Sequence, residues 1–302
     1  VDVYLPIANL SVNGLFIVLL GAVTGILSGL FGVGGGFLTT PLLIFYGVPP
    51  TVAAASASTQ VTGASVSGVL AQRRRGGVDF RMGGVMIAGG VLGAGIGALL
   101  FRFFEAVGQI DVVISVLYVV LLGTIGAMMA REAVQTLTSK DAAAAPRRRR
   151  HHPLVAVLPL RWRFYRSGLY ISPIAPLILG VLVGILTMLM GVGGGFILVP
   201  AMLYILGMSA NVVVGTSLFN ILFVTMASTM MHSLTTKAVD IVLVVLLLIG
   251  SVMGAQFGTR IAVRLRPELL RLVLATIVLL VAFRMLFGLG FQPDEIYTVQ
   301  PL

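Results

Sequence analysis

Residues 32–37 read GVGGGF and residues 191–196 read GVGGGF again, with Pro41 and Pro200 shortly after each phrase. A run of glycines cannot sustain a helix. Inside an apolar stretch such a break frees backbone N–H groups, and the short helix that follows aims its positive end at the same place, a donor set suited to an anion. Gly34, Gly35, Gly36 and Phe37, with Gly193, Gly194, Gly195 and Phe196, are therefore candidate substrate-binding residues. Neither phrase carries the lysine and Ser/Thr of a phosphate-binding P-loop, so nucleotide hydrolysis is unsupported. A polar cluster follows each break: Ser56, Ser58, Thr59, Gln60 and Thr62, then Thr216, Ser217 and Asn220. Ser56 and Gln60 share one helical face, as do Thr216 and Asn220. Hydroxyls and amides can donate to an oxyanion that must also leave, where fixed positive charge would hold it too tightly. The same residue types also make packing turns and interhelical hydrogen bonds, and for any single one that reading stays open.

Other chemistry-bearing groups are few. The chain has no cysteine, which removes disulfides, thiolate metal sites and cysteine nucleophiles. Asp79, Asp111 and Asp240 fall at predicted helix edges and none at the middle of a span, which argues against a cation carrier built on a buried carboxylate. Gln72, His232 and Arg284 are candidates for gating or proton handling. His232 is the one group in the uncharged arms that titrates near neutral pH, although its place at a segment end also fits an interfacial histidine. Arg284, the one charge inside a span, either attracts an anion or snorkels to the outer surface. No HExxH or GxSxG pattern occurs, so an enzyme is not expected, nor a cofactor, nor a metal site.

These residues must be held by membrane helices. Hydrophobic residues make up 58% of the 302 and charged residues 10%, and the mean hydropathy is +1.08. No charge occurs in residues 3–72 or 167–236, and at about 20 residues per crossing each arm holds roughly three segments. Further uncharged runs cover 82–101, 112–130, 241–259 and 272–289. Continuous apolar blocks argue against the alternating strands of a membrane barrel. The fold class expected is an all-α integral membrane protein.

The halves match residue by residue. Gly25 falls on Gly184, Phe37 on Phe196, Ser56 on Thr216, Gln60 on Asn220, Gln72 on His232, Asp79 on Asp240 and Gly93 on Gly254. Each unit reads as five segments, with a short discontinuous one after the glycines (37–48; 196–207), a pattern typical of transporter halves. An odd number inverts the second copy, and the positive charges agree. Arg73, Arg74, Arg75 and Arg81 crowd the loop before the fourth segment of unit one, whose next loop holds only Arg102. In unit two the first of these loops holds only Lys237, and Arg260, Arg264, Arg266 and Arg271 crowd the next. With the basic residues of 131–166 this places 17 of the 20 Lys and Arg on one face. Both termini are expected outside and the centre in the cytoplasm.

The division expected is a first membrane repeat over 1–130, a basic cytoplasmic linker over 131–170 and a second, inverted repeat over 171–302. The linker run at 147–152 is a topology determinant that could also touch anionic headgroups, so the net +10 does not call for nucleic acid. Gly93, Gly95 and Ala98 satisfy GxGxxA but lack the strand that a dinucleotide site requires. Gly89, Gly93 and Gly97, like Gly250, Gly254 and Gly258, instead make small faces on which helices approach closely.

The two GxGGGF phrases followed by proline, the GTSLFN run at 215–220, and Asp79 with Asp240 resemble the TauE/SafE family of membrane transporters. The resemblance covers both halves. It implies a secondary transporter in the cytoplasmic (inner) membrane that exports sulfite or small organosulfur anions such as sulfoacetate without ATP. Expected partners are a small anionic substrate, membrane lipid and a coupling proton or other ion. The first unit departs from the family at 55–59, where ASAST stands in place of the GTSLF of the second. An anion channel, or a carrier of another small anion, would use the same half-helices.

Overall fold

The computed structural model describes residues 2–31, 34–74, 76–138, 162–262 and 267–290. The polybasic stretch 147–152, with Gly32 and Val33 of the first glycine phrase, lies outside them. Each half begins with a β-hairpin that the apolar periodicity gave no sign of. Strands β1 (Asp2–Leu5) and β2 (Leu10–Asn13) pair Leu5 with Leu10, and β3 (Trp162–Phe164) and β4 (Leu169–Ile171) pair Phe164 with Leu169. Leu5 and Val12 in one, and Phe164, Leu169 and Ile171 in the other, pin these hairpins to the helical core.

Ten helices follow. The first half has α1 (Gly14–Phe31), α2 (Gly36–Phe45), α3 (Pro50–Arg74), α4 (Phe80–Ala106) and α5 (Ile110–Thr138). The second has α6 (Ile174–Met190), α7 (Gly195–Tyr204), α8 (Ala210–Thr235), α9 (Ile241–Ala262) and α10 (Pro267–Gly290). Six of them are long and apolar enough to cross a membrane, and the chain is an all-α integral membrane protein. The short pair, α2 and α7, start at the glycine phrases as the sequence predicts. Each keeps its proline inside, at Pro41 and Pro200, and so strips the carbonyls of Phe37 and Phe196 of their helical donors.

The halves interleave. Helix α1 packs on α9, α4 on α6, α3 on α8 and α5 on α10. Glycines make the first two pairings possible. A Cβ added at Gly93 would overlap the Val181 carbonyl, and one at Gly184 would overlap that of Gly90. In the equivalent seam, Gly250, Gly254 and Gly258 lie against the carbonyls of Val18, Ala22 and Ile26. Backbones in contact over three helical turns gain dispersion along the whole seam and leave no room to slide. Contacts advance in step along both chains, so each seam is parallel. Helices α3 and α8 instead cross antiparallel, with Thr59 bonded to Thr229 at 3.2 Å, Thr62 to Thr225 at 2.8 Å, and Gly68 against Leu218.

Two matched interlocks close the ends. Asp79 caps α4 by accepting from the Arg81 and Met82 N–H groups at 3.1 Å, and its other oxygen takes the Ser167 N–H and hydroxyl at the β3–β4 turn. Its own N–H donates to the Thr216 hydroxyl at 3.0 Å. Asp240 repeats the device: it caps α9 through Val242 and Leu243, accepts from Ile7 in the β1–β2 turn, and donates its N–H to Ser56 at 3.1 Å. Each aspartate thus joins a helix start, a hairpin and α3 or α8.

The seams predict a sharp contrast between glycines. Gly93→Ala or Gly254→Ala forces backbones apart and should cost about 1–3 kcal/mol, a scale set by overpacked cores. Gly84→Ala, on the same helix as Gly93 but facing open space, should be neutral or stabilise by up to about 1 kcal/mol. Thermal unfolding in detergent distinguishes the two classes.

Candidate functional site

Left-handed backbone makes the breaks. Gly34 and Gly35 have φ of 86° and 70°, and Gly191, Gly193 and Gly194 have φ of 71°, 74° and 72°, a region that other residues enter only with strain. Gly35 and Gly194 stand at the N-caps of α2 and α7, and neither helix has a side-chain cap. First-turn N–H groups of a helix have no partner within it; here Gly36 donates to the Gly34 carbonyl at 2.9 Å, whereas those of Phe37, Gly195 and Phe196 have no backbone partner among the described residues.

The two breaks meet. Phe37 and Phe196, equivalent residues of the two halves, stack with centroids 4.7 Å apart and planes 8° from parallel. A Cβ at Gly36 would press on the carbonyls of Gly191 and Val192 in the opposite break. Equivalent residues Val61 and Ile221 fill the space beside Gly34 and Gly193. Residues that the sequence makes equivalent in the two halves thus touch one another at the breaks.

The predicted polar residues divide into three groups. Gln60 is buried beside the first break, and its Oε1 accepts from the Thr39 hydroxyl at 3.2 Å. Asn220, its counterpart, is fully buried, and both its Oδ1 and Nδ2 find no hydrogen-bond partner among the described residues. Leu198 stands where Thr39 stands in the first half, so the partner that Gln60 has is missing. Ser56 and Thr216 are occupied by the backbone N–H groups of Asp240 and Asp79. The side chain of Gln72 is outside the described residues.

His232 is buried and not at an interface. Its Nε2 lies 2.9 Å from the Met188 carbonyl, so Nε2 carries the hydrogen, and Nδ1 lies 3.3 Å from the Thr236 hydroxyl. That ring, edge-on to Phe101, ties α8 to the last turn of α6 just before the second break. Arg284 is exposed, its guanidinium 5.4 Å from the centre of the Phe45 ring at the end of α2. Two hydroxyls escaped the sequence reading. Ser28 lies against Gly35 and Thr187 against Gly194, and Thr187 is buried with no partner among the described residues. Their signal was present: Ser28 and Thr187 are equivalent positions, a hydroxyl in both halves shortly before each glycine phrase.

Access to the breaks is unequal. A cavity of about 500 Å³ reaches Phe196, walled by Phe31, Val199, Val213 and Val214, with Arg131 and Glu132 at its mouth. Tyr204 donates its hydroxyl to the Glu132 carboxylate there. The equivalents of those walls on the other side are Met190, Thr40, Ala53 and Ala54, and all are buried together with Phe37. The Met190 carbonyl accepts from the Tyr118 hydroxyl at 2.7 Å and from the Thr40 hydroxyl at 3.2 Å, while Gly191 seats against the Ala54 backbone. Val199, in Thr40's place, has no hydroxyl to make the matching bond.

Residues 17–285 match the family described as sulfite exporter TauE/SafE. A probable membrane transporter protein of Bacillus subtilis, YjnA, is 25% identical over 270 residues, covering 89% of this chain and 98% of its own. One from Xylella fastidiosa is 27% identical over 266 residues, 87% of this chain and 90% of its own. A second Bacillus subtilis protein of the same description, YunE, is 23% identical over 286 residues, 90% of this chain and 96% of its own. No solved structure matches the chain. Family and relatives agree with the apolar helices in placing this chain among multi-pass membrane transporters.

The orphaned amide yields a test. A buried polar group without a partner costs about 1–3 kcal/mol, so Asn220→Leu should leave thermal stability unchanged or raise it while lowering transport. Gln60→Leu removes the bond from the Thr39 hydroxyl, which then keeps only the Gly35 carbonyl, and should lose both. Melting temperature and flux measured on the same preparations separate the variants.

Proposed function

We infer that this chain, which belongs to the sulfite exporter TauE/SafE family, is a secondary transporter that exports sulfite or a small organosulfur anion such as sulfoacetate by alternating access. The observation that carries the reading is the unequal pair of approaches to Phe37 and Phe196. Residues that wall a cavity in one half have equivalents in the other that are packed shut around the Met190 carbonyl. A carrier built from two related halves needs such a pair, open on one side and closed on the other, with the roles exchanged in its second state.

The orientation follows from charge. The open approach lies at the end of α5, next to the basic segment that the distribution of Lys and Arg assigns to the cytoplasm, so this state faces inward. Both termini are then outside. Antiparallel crossing of the equivalent helices α3 and α8 supports the inverted relation, since a two-fold axis in the membrane plane reverses each helix it maps. The seams α1–α9 and α4–α6 serve as rigid pairs. Helices α2, α5, α7 and α10, which border the two approaches, carry the movement.

An anion is the cargo best suited to the site. The donors at hand are the uncapped starts of α2 and α7, the amide of Asn220 and the hydroxyl of Thr187, and the nearby aspartates are already committed as caps. Substrate bound between Phe37 and Phe196 would part the stacked rings, so the aromatic pair serves as the central barrier. A desolvated anion there gains from N–H dipoles fixed by the fold, with no full charge to trap it.

Purified protein in liposomes, assayed over a panel of sulfur oxyanions, sulfonates and carboxylates with and without a pH gradient, tests the assignment. The expected result is saturable flux of sulfur anions, accelerated by unlabelled anion on the opposite side. Conductance at channel rates, or no anion flux, would overturn it. Tyr118→Phe removes one of the two donors on the Met190 carbonyl, worth about 1 kcal/mol, and should shift the balance towards the outward-open state roughly fivefold. A matching fall in the outside half-saturation concentration for uptake would register that shift.

A further inference from the structure

The two hairpins hold the same structural post and differ in what they show to the surroundings. Hairpin β1–β2 folds and locks onto Asp240 without a single Lys or Arg in residues 2–13. Hairpin β3–β4 locks onto Asp79 in the same way, yet it carries Arg163 and Arg166 with no acidic residue in 162–171. Arg166 is used internally, donating to the Gly76 and Val78 carbonyls at 2.9 and 3.3 Å. Among the described residues Arg163 has no such partner, and neither does Arg81 at the first turn of α4. Their guanidinium groups lie 5.8 and 5.5 Å from the centre of the Tyr165 ring, so two cations flank one exposed aromatic. Around them Trp162, Tyr165 and Tyr170 are all more than half exposed.

The level of this face is fixed by the helices it joins. Hairpin β3–β4 leads directly into α6, and Arg81 opens α4, which is long and apolar enough to span, so the cluster sits where helices leave the hydrocarbon. Tryptophan and tyrosine favour that level, and arginine there meets lipid phosphate on a leaflet rich in negative headgroups. The equivalent hairpin proves that the fold does not need these arginines.

We propose that Arg81 and Arg163, with the exposed aromatics of hairpin β3–β4, form a binding surface for anionic phospholipid headgroups. The site is separate from the transport path and does not depend on what the protein carries. It recruits negatively charged lipid to the start of α4 and α6, the rigid pair nearest the second break.

Trp162 is the only tryptophan in the chain, so its fluorescence reports on this hairpin alone. The full chain in nanodiscs is titrated with headgroup-nitroxide lipid, either phosphatidylglycerol or phosphatidylcholine at equal mole fraction. The anionic quencher should act severalfold more strongly, the preference should vanish in the Arg81→Gln, Arg163→Gln double variant, and it should survive in the corresponding double lysine variant. Equal quenching by both lipids in the unsubstituted protein, or a preference that persists in the glutamine variant, would overturn the proposal. Inorganic phosphate is added to discs of pure phosphatidylcholine as a third arm. An arginine-dependent change in Trp162 emission in that arm, without any lipid preference, would assign the surface to free phosphate and likewise overturn the proposal. A melting curve of each variant confirms that the hairpin remains folded.

Discussion

A helix that breaks inside a bilayer leaves backbone groups that hydrocarbon cannot satisfy, so a break survives only where protein encloses it. This chain breaks two helices, at Gly35 and Gly194, and solves both problems with one arrangement. The breaks are brought together at the centre, where Phe37 stacks on Phe196 and Gly36 rests on the backbone of the other break. Everything outside that contact serves to hold it. Glycine seams join α1 to α9 and α4 to α6 closely enough to surround the short helices, and the aspartate interlocks fix the ends of α3 and α8, which supply the polar lining. The proposed function draws on the same constraint: the Asn220 amide and the Thr187 hydroxyl, without a partner among the described residues, are the donors the proposed anion would use.

The departures from symmetry matter as much as the symmetry. Thr40 in one half is Val199 in the other, Thr39 is Leu198, and Met190 is Phe31. Each replacement removes a hydroxyl or changes a side chain on the side where the cavity opens. The closed side has two hydroxyls on one carbonyl, and in the other half the Asn220 amide makes no hydrogen bond among the described residues. Under the proposed alternating access, these sequence differences between the halves bias the resting state, and the shared geometry keeps the opposite state within reach.

Much of this was legible in the residues. The paired glycine phrases marked the breaks, uncharged runs gave the helices and the membrane class, and glycines at helical spacing foretold the seams. An aspartate just before an apolar run, as at Asp79 and Asp240, is also a recognisable cap. What stayed hidden depended on partners far away in the chain. The hydroxyls of Ser56 and Thr216 look like ligand donors until the fold supplies backbone N–H groups from the other half. His232 looks interfacial because α8 ends nearby, but the carbonyl of Met188 in another helix meets it inside. Strands of three or four residues beside long apolar helices are too short for alternation to register. Gln60 and Asn220 read as equals, and only the placement of Thr39 and Leu198 shows that one amide is satisfied and the other is not.

The most direct test of alternating access uses the absence of native cysteine, which makes any introduced thiol the only one. Val199→Cys and Thr40→Cys, the equivalent pair on the open and closed approaches, are placed in separate proteins, reconstituted, and exposed to a membrane-impermeant maleimide on either side. Without substrate, the thiol at 199 should react from the linker side and the thiol at 40 from neither. An inward-directed gradient of sulfoacetate should expose the thiol at 40 to the side of the termini and slow labelling at 199. Labelling of both variants from opposite sides in the absence of substrate, or active transport with the thiol at 40 always protected, would contradict the exchange of access.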